Sequence, residues 1–299
     1  MGFLEWLMPP SIFNVFQARL LENGQGAQPE PDFRPALLVV DMQEDFCPPN
    51  GTLAVTGGRS ITPLINTLLS SPLFVLRVAT KDWHPPNHIS FASNHNHTPS
   101  PSPCCPDSSG EAAIPFLSTT TVHNPHNPSE SYTTRLWPSH CIADTPGASL
   151  IPELDVSKID QILEKGTNPL VEMYSAFYDP FTSPRVSDSG LAHMLREAKV
   201  THVYVVGLAA DYCVWSTAMD AHNEGFETVV VEEATKPVDE DGWRRCKEAL
   251  VGEPGVKVVR WEGEEVRRLF PGGLVTTSVG AGDDDEVEEE EEEEKKKKI

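Results

Sequence analysis

The segment "VYVVGLAADYC" ends on Cys213, where an apolar run gives way to a helical pattern. A thiol in that position could serve as a nucleophile. The positive end of a helix favours a thiolate, a nearby lysine lowers the thiol pKa further, and a carboxylate in reach can take the proton. Lys165 in "ILEKG" and Asp41 in "LLVVDMQEDF" are the available partners. Taken singly, each is also an ordinary residue: Cys213 a small buried hydrophobe, Asp41 a solvated turn acid, Lys165 a surface lysine. A second group stands in "TKDWHPPNHISF", where Asp82, His84 and His88 are close in sequence and Pro85–Pro86 supplies a turn. His140, in "LWPSHC", adds another imidazole. Imidazole with carboxylate suits zinc, iron or manganese and not calcium. On spacing alone, the cluster reads equally as a polar turn.

The elements that would position these residues are legible as well. "ALLVVD" (36–41), "FVLRVAT" (74–80), "VYVVG" (203–207) and "TVVVEEA" (228–234) are continuous apolar runs of the kind buried in parallel sheets. "DQILEK" (160–165) and "VKVVRW" (256–261) are weaker strand candidates. Apolar residues at helical spacing predict helices over 60–70 and 188–199, and a third from about Cys213 to Asn223 with Gly225 as its stop. Strand–helix alternation implies an α/β fold: a doubly wound, mostly parallel sheet with helices on both faces. In such sheets sites gather beyond the carboxyl ends of the strands, which is where Asp41, Asp82, Lys165 and Cys213 fall.

Composition narrows the function classes. The 299 residues carry a formal charge of −22, part of it in the tail "DDDEVEEEEEEE". An acidic surface repels phosphate backbones, so a nucleic-acid partner is not expected. Six scattered cysteines do not form a disulfide framework, and no run is long enough to span a bilayer. The expected setting is a reducing, soluble one, the cytoplasm with the nucleus as a second location. The expected organisation is an N-terminal extension over 1–32, one domain over 33–275 and a disordered acidic and lysine tail over 276–299. Residues 93–134, crowded with Pro, Ser, Thr, Asn and His, are expected to be a long polar insertion.

"LLVVDMQEDFCPPNGTLAV", "KDWHPPNHISF", "LWPSHC", "EKGTNPLVEMYSAF" and "GLAADYCVWSTAMDA" occur in this order over roughly residues 36–235. Together they resemble the motif set of nicotinamidases, of fungal type, in the isochorismatase-like cysteine hydrolase superfamily. The resemblance implies a six-stranded sheet. It also implies a Cys213 nucleophile with Asp41 as base and Lys165 as electrostatic partner, and an oxyanion hole from the backbone N–H groups of Ala209 and Cys213 beyond a cis peptide. Asp82, His84 and His140 match the metal ligands, with His88 left as a candidate fourth. The implied cofactor is one divalent transition metal, zinc first, iron or manganese otherwise. Phe46, Trp83 and Tyr174 match positions that wall the substrate. The implied reaction is nicotinamide hydrolysis through a thioester, in NAD salvage. Another small amide, carbamoyl or ureido, or an idle scaffold of the same fold are the alternatives, and a homo-oligomer is left open. Ala210 and Glu172 depart from the pattern, where Thr and Asp are common.

Overall fold

Strand β1 (Pro35–Val40) is buried at every residue, as its unbroken apolar run PALLVV requires. A computed structural model, describing residues 33–95, 112–250 and 255–273, places β1 in the middle of a six-stranded sheet. The order is β5-β2-β1-β6-β7-β8, with β2 (Leu76–Asp82), β5 (Gln161–Lys165), β6 (His202–Leu208), β7 (Glu227–Lys236) and β8 (Val256–Val259). Every pairing is parallel. The α/β expectation is met, and both weaker strand candidates, β5 and β8, are strands. The chain divides into two units, Met1–Phe33 and Arg34–Ile299, and the second holds all the elements described. The expected extension over 1–32 and tail over 276–299 lie outside the described residues.

Five helices complete this unit among the described residues: α1 (Thr62–Leu69), α2 (Leu191–Glu197), α3 (Trp215–Asn223), α4 (Glu240–Leu250) and α5 (Glu264–Arg267). Alternate residues of a strand face opposite sides. Ala36, Leu38 and Val40 of β1, with Val203 and Val205 of β6, pack against Leu191 and Leu195 of α2 and Ala218 and Ala221 of α3. On the other face Tyr204 meets Phe74 edge-on at 5.6 Å and donates its hydroxyl to the Glu265 carbonyl in α5 at 2.9 Å. Pro63 sits in the first turn of α1, where a missing N–H costs nothing, and Leu64, Ile65, Leu68 and Leu69 are buried. The third predicted helix starts later than expected, at Trp215, because a wide π-type turn over Ala210–Val214 precedes it. Gly225, with φ +91°, stands just past its end.

The insertion is not all loop. Strands β3 (Thr119–Asn124) and β4 (Asn127–Arg135) form an antiparallel hairpin, and residues 96–111 lie outside the described residues. Sequence periodicity missed it because a two-stranded ribbon buries little. Only Val122 and Asn124 of β3, and Thr134 of β4, are buried, amid threonines that suit a strand without being apolar.

Gly207 of β6 pairs with Val40 of β1 and has φ +109°. A Cβ there would lie 2.1 Å from the Val40 carbonyl oxygen. Gly207→Ala is therefore expected to remove about 2–4 kcal/mol of folding stability. Urea denaturation checks this, and an unchanged midpoint contradicts the close β1–β6 approach.

Candidate active site

Four adjacent strands, β5, β2, β1 and β6, end at one edge and deliver the candidate residues there. Lys165 and Asp82 are the last residues of β5 and β2 and pair directly in register. Asp41 follows β1 with φ +48°, a left-handed turn that ends the strand. After β6 the Leu208–Ala209 peptide is cis, and the wide turn beyond it carries Cys213.

Lys165 joins these groups. Its ammonium lies 3.0 Å from Asp41 Oδ2 and 2.5 Å from Asp82 Oδ1. It also donates to the Met173 carbonyl at 3.3 Å and approaches Cys213 Sγ at 3.5 Å. Asp41, Asp82, Lys165 and Cys213 are all buried. Thr80 fixes Asp41 from inside β2, its hydroxyl donating to Oδ1 at 2.6 Å. Gln43 clamps the Asp82 backbone: its amide donates to the Asp82 carbonyl and its oxygen accepts the Asp82 N–H, both at 2.8 Å. The Asp45 carboxylate holds the loop after His140 by accepting Cys141 N–H at 2.7 Å.

Burial sets the protonation states. It pushes the Asp41 carboxyl up to about 6 despite the opposing pull of Lys165. The same cause lifts the Cys213 thiol well above its ordinary range; Lys165 offsets this only in part, while Asp41 and Asp82 add to it. Lys165 acts in the expected direction, but burial outweighs it and the net shift is upward. One ammonium shared by two carboxylates has little field left for a third anion, so the resting group is a thiol. Burial opposes charge on Lys165 too, but Asp41 and Asp82 more than compensate, and its pKa rises well above the usual lysine value. At Asp82, burial would raise the pKa, but Lys165, His84 and His140 together hold it well below the carboxylate range.

Asp82 turns its other oxygen to two imidazoles. Oδ2 lies 3.4 Å from His84 Nε2 and 3.9 Å from His140 Nε2. His84 Nδ1 donates to the Gly166 carbonyl at 2.9 Å, and His140 Nδ1 to that of Pro138 at 2.8 Å. In the neutral ring, each bond fixes the tautomer in which Nε2 keeps its lone pair. His84 Nε2 is buried without a hydrogen-bond partner. One donor atom from each of Asp82, His84 and His140 lies within 4.8 Å of the others. An orphaned imidazole nitrogen inside such a set fits a transition-metal ion. His88 stands differently. Its Nδ1 accepts from Ser90 Oγ at 2.8 Å, its Nε2 donates to the Val171 carbonyl at 3.1 Å, and its ring stacks on His84 at 4.0 Å.

A narrow cavity opens onto Cys213, Ala209, Asp82 and His140. Phe46 and Tyr174 line it, as do Trp137, Tyr212 and Glu172, which sequence reasoning did not assign to it. Trp137 meets Tyr212 edge-on at 4.9 Å. Both neighbour singled-out residues, His140 and Cys213, and that adjacency was the available signal. Trp83 does not line the cavity; its ring lies under Lys81 Nζ at 3.7 Å. Trp83 directly follows the last residue of β2, and its ring turns toward Lys81, which faces opposite to Asp82.

The isochorismatase domain matches residues 103–262, more than half of the chain. The chain belongs to the isochorismatase family. It is similar to a nicotinamidase of Acinetobacter baylyi, 40% identical over 207 residues covering 69% of this chain and 83% of that protein. Its fold is similar to the yeast nicotinamidase bound to the inhibitor nicotinaldehyde, with TM-score 0.65, 31% identity and coverage of 76% of this chain and 99% of that one. It is also similar to a pyrazinamidase of Pyrococcus horikoshii in complex with zinc, with TM-score 0.54, 32% identity and coverage of 76% and 99%. The kinship with nicotinamidases implied by the five motifs is met.

Removing the shared cation leaves two carboxylates buried side by side. Lys165→Met is expected to cost about 3–5 kcal/mol of stability at pH 7. The loss should shrink as pH falls and Asp41 takes up a proton. Denaturant titrations at pH 5 and pH 7 check both, and equal losses at the two pH values contradict the shared-charge reading.

Proposed function

We propose that this family member hydrolyses the carboxamide of nicotinamide, giving nicotinate and ammonia through a Cys213 thioester. One observation carries the reading: the Cys213 thiol stands 3.5 Å from the Lys165 ammonium, itself paired with Asp41, on the floor of an aromatic-walled cavity. The nicotinamidase relatives support the choice of amide.

In this mechanism Asp41 takes the Cys213 proton as sulfur attacks the carboxamide carbon. The backbone N–H groups of Ala209 and Cys213 receive the oxyanion, a contribution worth about 3–4 kcal/mol per donor in related chemistry. Collapse breaks the carbon–nitrogen bond, and Asp41 returns its proton to the departing ammonia. Water then attacks the thioester, again giving a proton to Asp41, and the C–S bond breaks to release the acid and restore the thiol. Lys165 keeps Asp41 and Asp82 in place throughout and favours the ionised base. Phe46 and Tyr174 hold the ring. Asp82, His84 and His140 would hold a divalent transition metal, with zinc favoured by the Pyrococcus relative. When bound, such an ion supplies a Lewis-acidic contact that orients the pyridine ring through its nitrogen. Release of nicotinate fits a role in NAD salvage.

Metal-replete protein should release ammonia from nicotinamide, and Cys213→Ala should lower kcat by at least about 10³-fold. Wild-type protein that leaves nicotinamide intact but cleaves a ureido compound would redirect the reading to that amide. The base must be ionised to accept the thiol proton, so kcat/KM should fall as pH drops through about 6, where Asp41 titrates. Well below that point the slope should be about tenfold per pH unit. A flat profile from pH 5 to pH 8 removes Asp41 from the role.

A further inference from the structure

Residues 171–174 have no regular secondary structure, and Glu172 and Tyr174 among them line the cavity. They nonetheless give the site three groups. Glu172 and Tyr174 line the cavity, and the Met173 carbonyl accepts from Lys165 Nζ. Backbone with no ladder partner must have its polar groups satisfied elsewhere, and its position is set by whatever satisfies them. Here the β3–β4 hairpin does so. Tyr132 of β4 uses one hydroxyl for both backbone groups of Glu172, accepting its N–H at 3.0 Å and donating to its carbonyl at 3.0 Å. Two residues on, and so on the same strand face, the Thr134 hydroxyl meets the Tyr174 hydroxyl at 3.0 Å. Trp137 Nε1 donates to that same phenol oxygen at 3.0 Å.

The hairpin is itself well seated. The Tyr132 ring lies 4.9 Å from Phe181, within the small core of Val122, Val171 and Phe181. Glu130 accepts from Thr182 N–H at 2.8 Å and Ser183 N–H at 3.2 Å. A displacement of the wall therefore has to break bonds to a braced ribbon.

We propose that Tyr132 and Thr134 are positioning residues for substrate binding: the inserted hairpin sets where the Glu172–Tyr174 wall stands against the ring of the substrate. The proposal rests on the amide-hydrolase reading above for its kinetic test. Neither residue touches the reacting atoms, so the effect falls on binding more than on chemistry.

Tyr132→Phe removes the hydroxyl and keeps the packed ring, Thr134→Val removes the other hydroxyl, and Thr134→Ser restores it. With nicotinamide as substrate, Tyr132→Phe and Thr134→Val should each raise KM by about 5–10-fold with kcat within about threefold of wild type, and Thr134→Ser should return KM to near wild type. Hydrogen–deuterium exchange without ligand should show faster exchange of peptides covering 171–175 in Tyr132→Phe, with the central strands unchanged. An unchanged KM in both hydroxyl-deletion variants overturns the proposal. So does a fall in kcat alone that tracks the melting temperature, which is the mark of general destabilisation. If the wild type fails to turn over nicotinamide, the functional reading falls on that result alone. The clamp is then decided by exchange, and unaltered rates at 171–175 overturn it.

Discussion

One buried ammonium holds the site together. Three strands of a parallel sheet bring Asp41, Asp82 and Lys165 to the same edge, away from water. Two carboxylates in that position repel each other and each loses its hydration, an arrangement that stands only if a cation sits between them. Lys165 does so at 3.0 and 2.5 Å. The parallel register matters because it sets Lys165 directly opposite Asp82, and β1 brings Asp41 alongside.

From that constraint follow two unlike halves of one site. Asp82 faces Lys165 with one oxygen and the paired imidazoles with the other, so it belongs to both. The imidazole half is ordered by backbone carbonyls: Gly166, directly after Lys165, accepts from His84. Gly166 has φ +66°, and a Cβ there would lie 2.4 Å from the His84 ring, so the lysine and the histidine are tied to one tight turn.

The sheet and the strand-end residues were legible because Val- and Leu-rich runs mark buried parallel strands, and polar residues at their ends stand out. Lys165 was harder, since β5 is an edge strand whose first two residues are exposed. Groups that act through backbone contacts left no signature. Thr80 reads as one more strand residue, and Gln43 shows its purpose only once the Asp82 peptide lies beside it. Trp83 was assigned to the wall from the resemblance, which gives a position and not the direction of a ring that meets Lys81 instead. The hairpin escaped because a ribbon buries too few side chains to create an apolar period. The sign of the Cys213 shift depends on desolvation and on how many anions share Lys165, neither of which sequence spacing reveals.

The neutral state of Cys213 bears on how the protein survives in a cell. Peroxide and soft electrophiles attack thiolates, and the oxidation ladder from sulfenic to sulfonic acid begins with that anion. Burial lifts the Cys213 thiol above its ordinary range, which lowers the share of thiolate that such reagents meet. The desolvation that raises the Cys213 pKa thus also withholds the anion with which that oxidation begins.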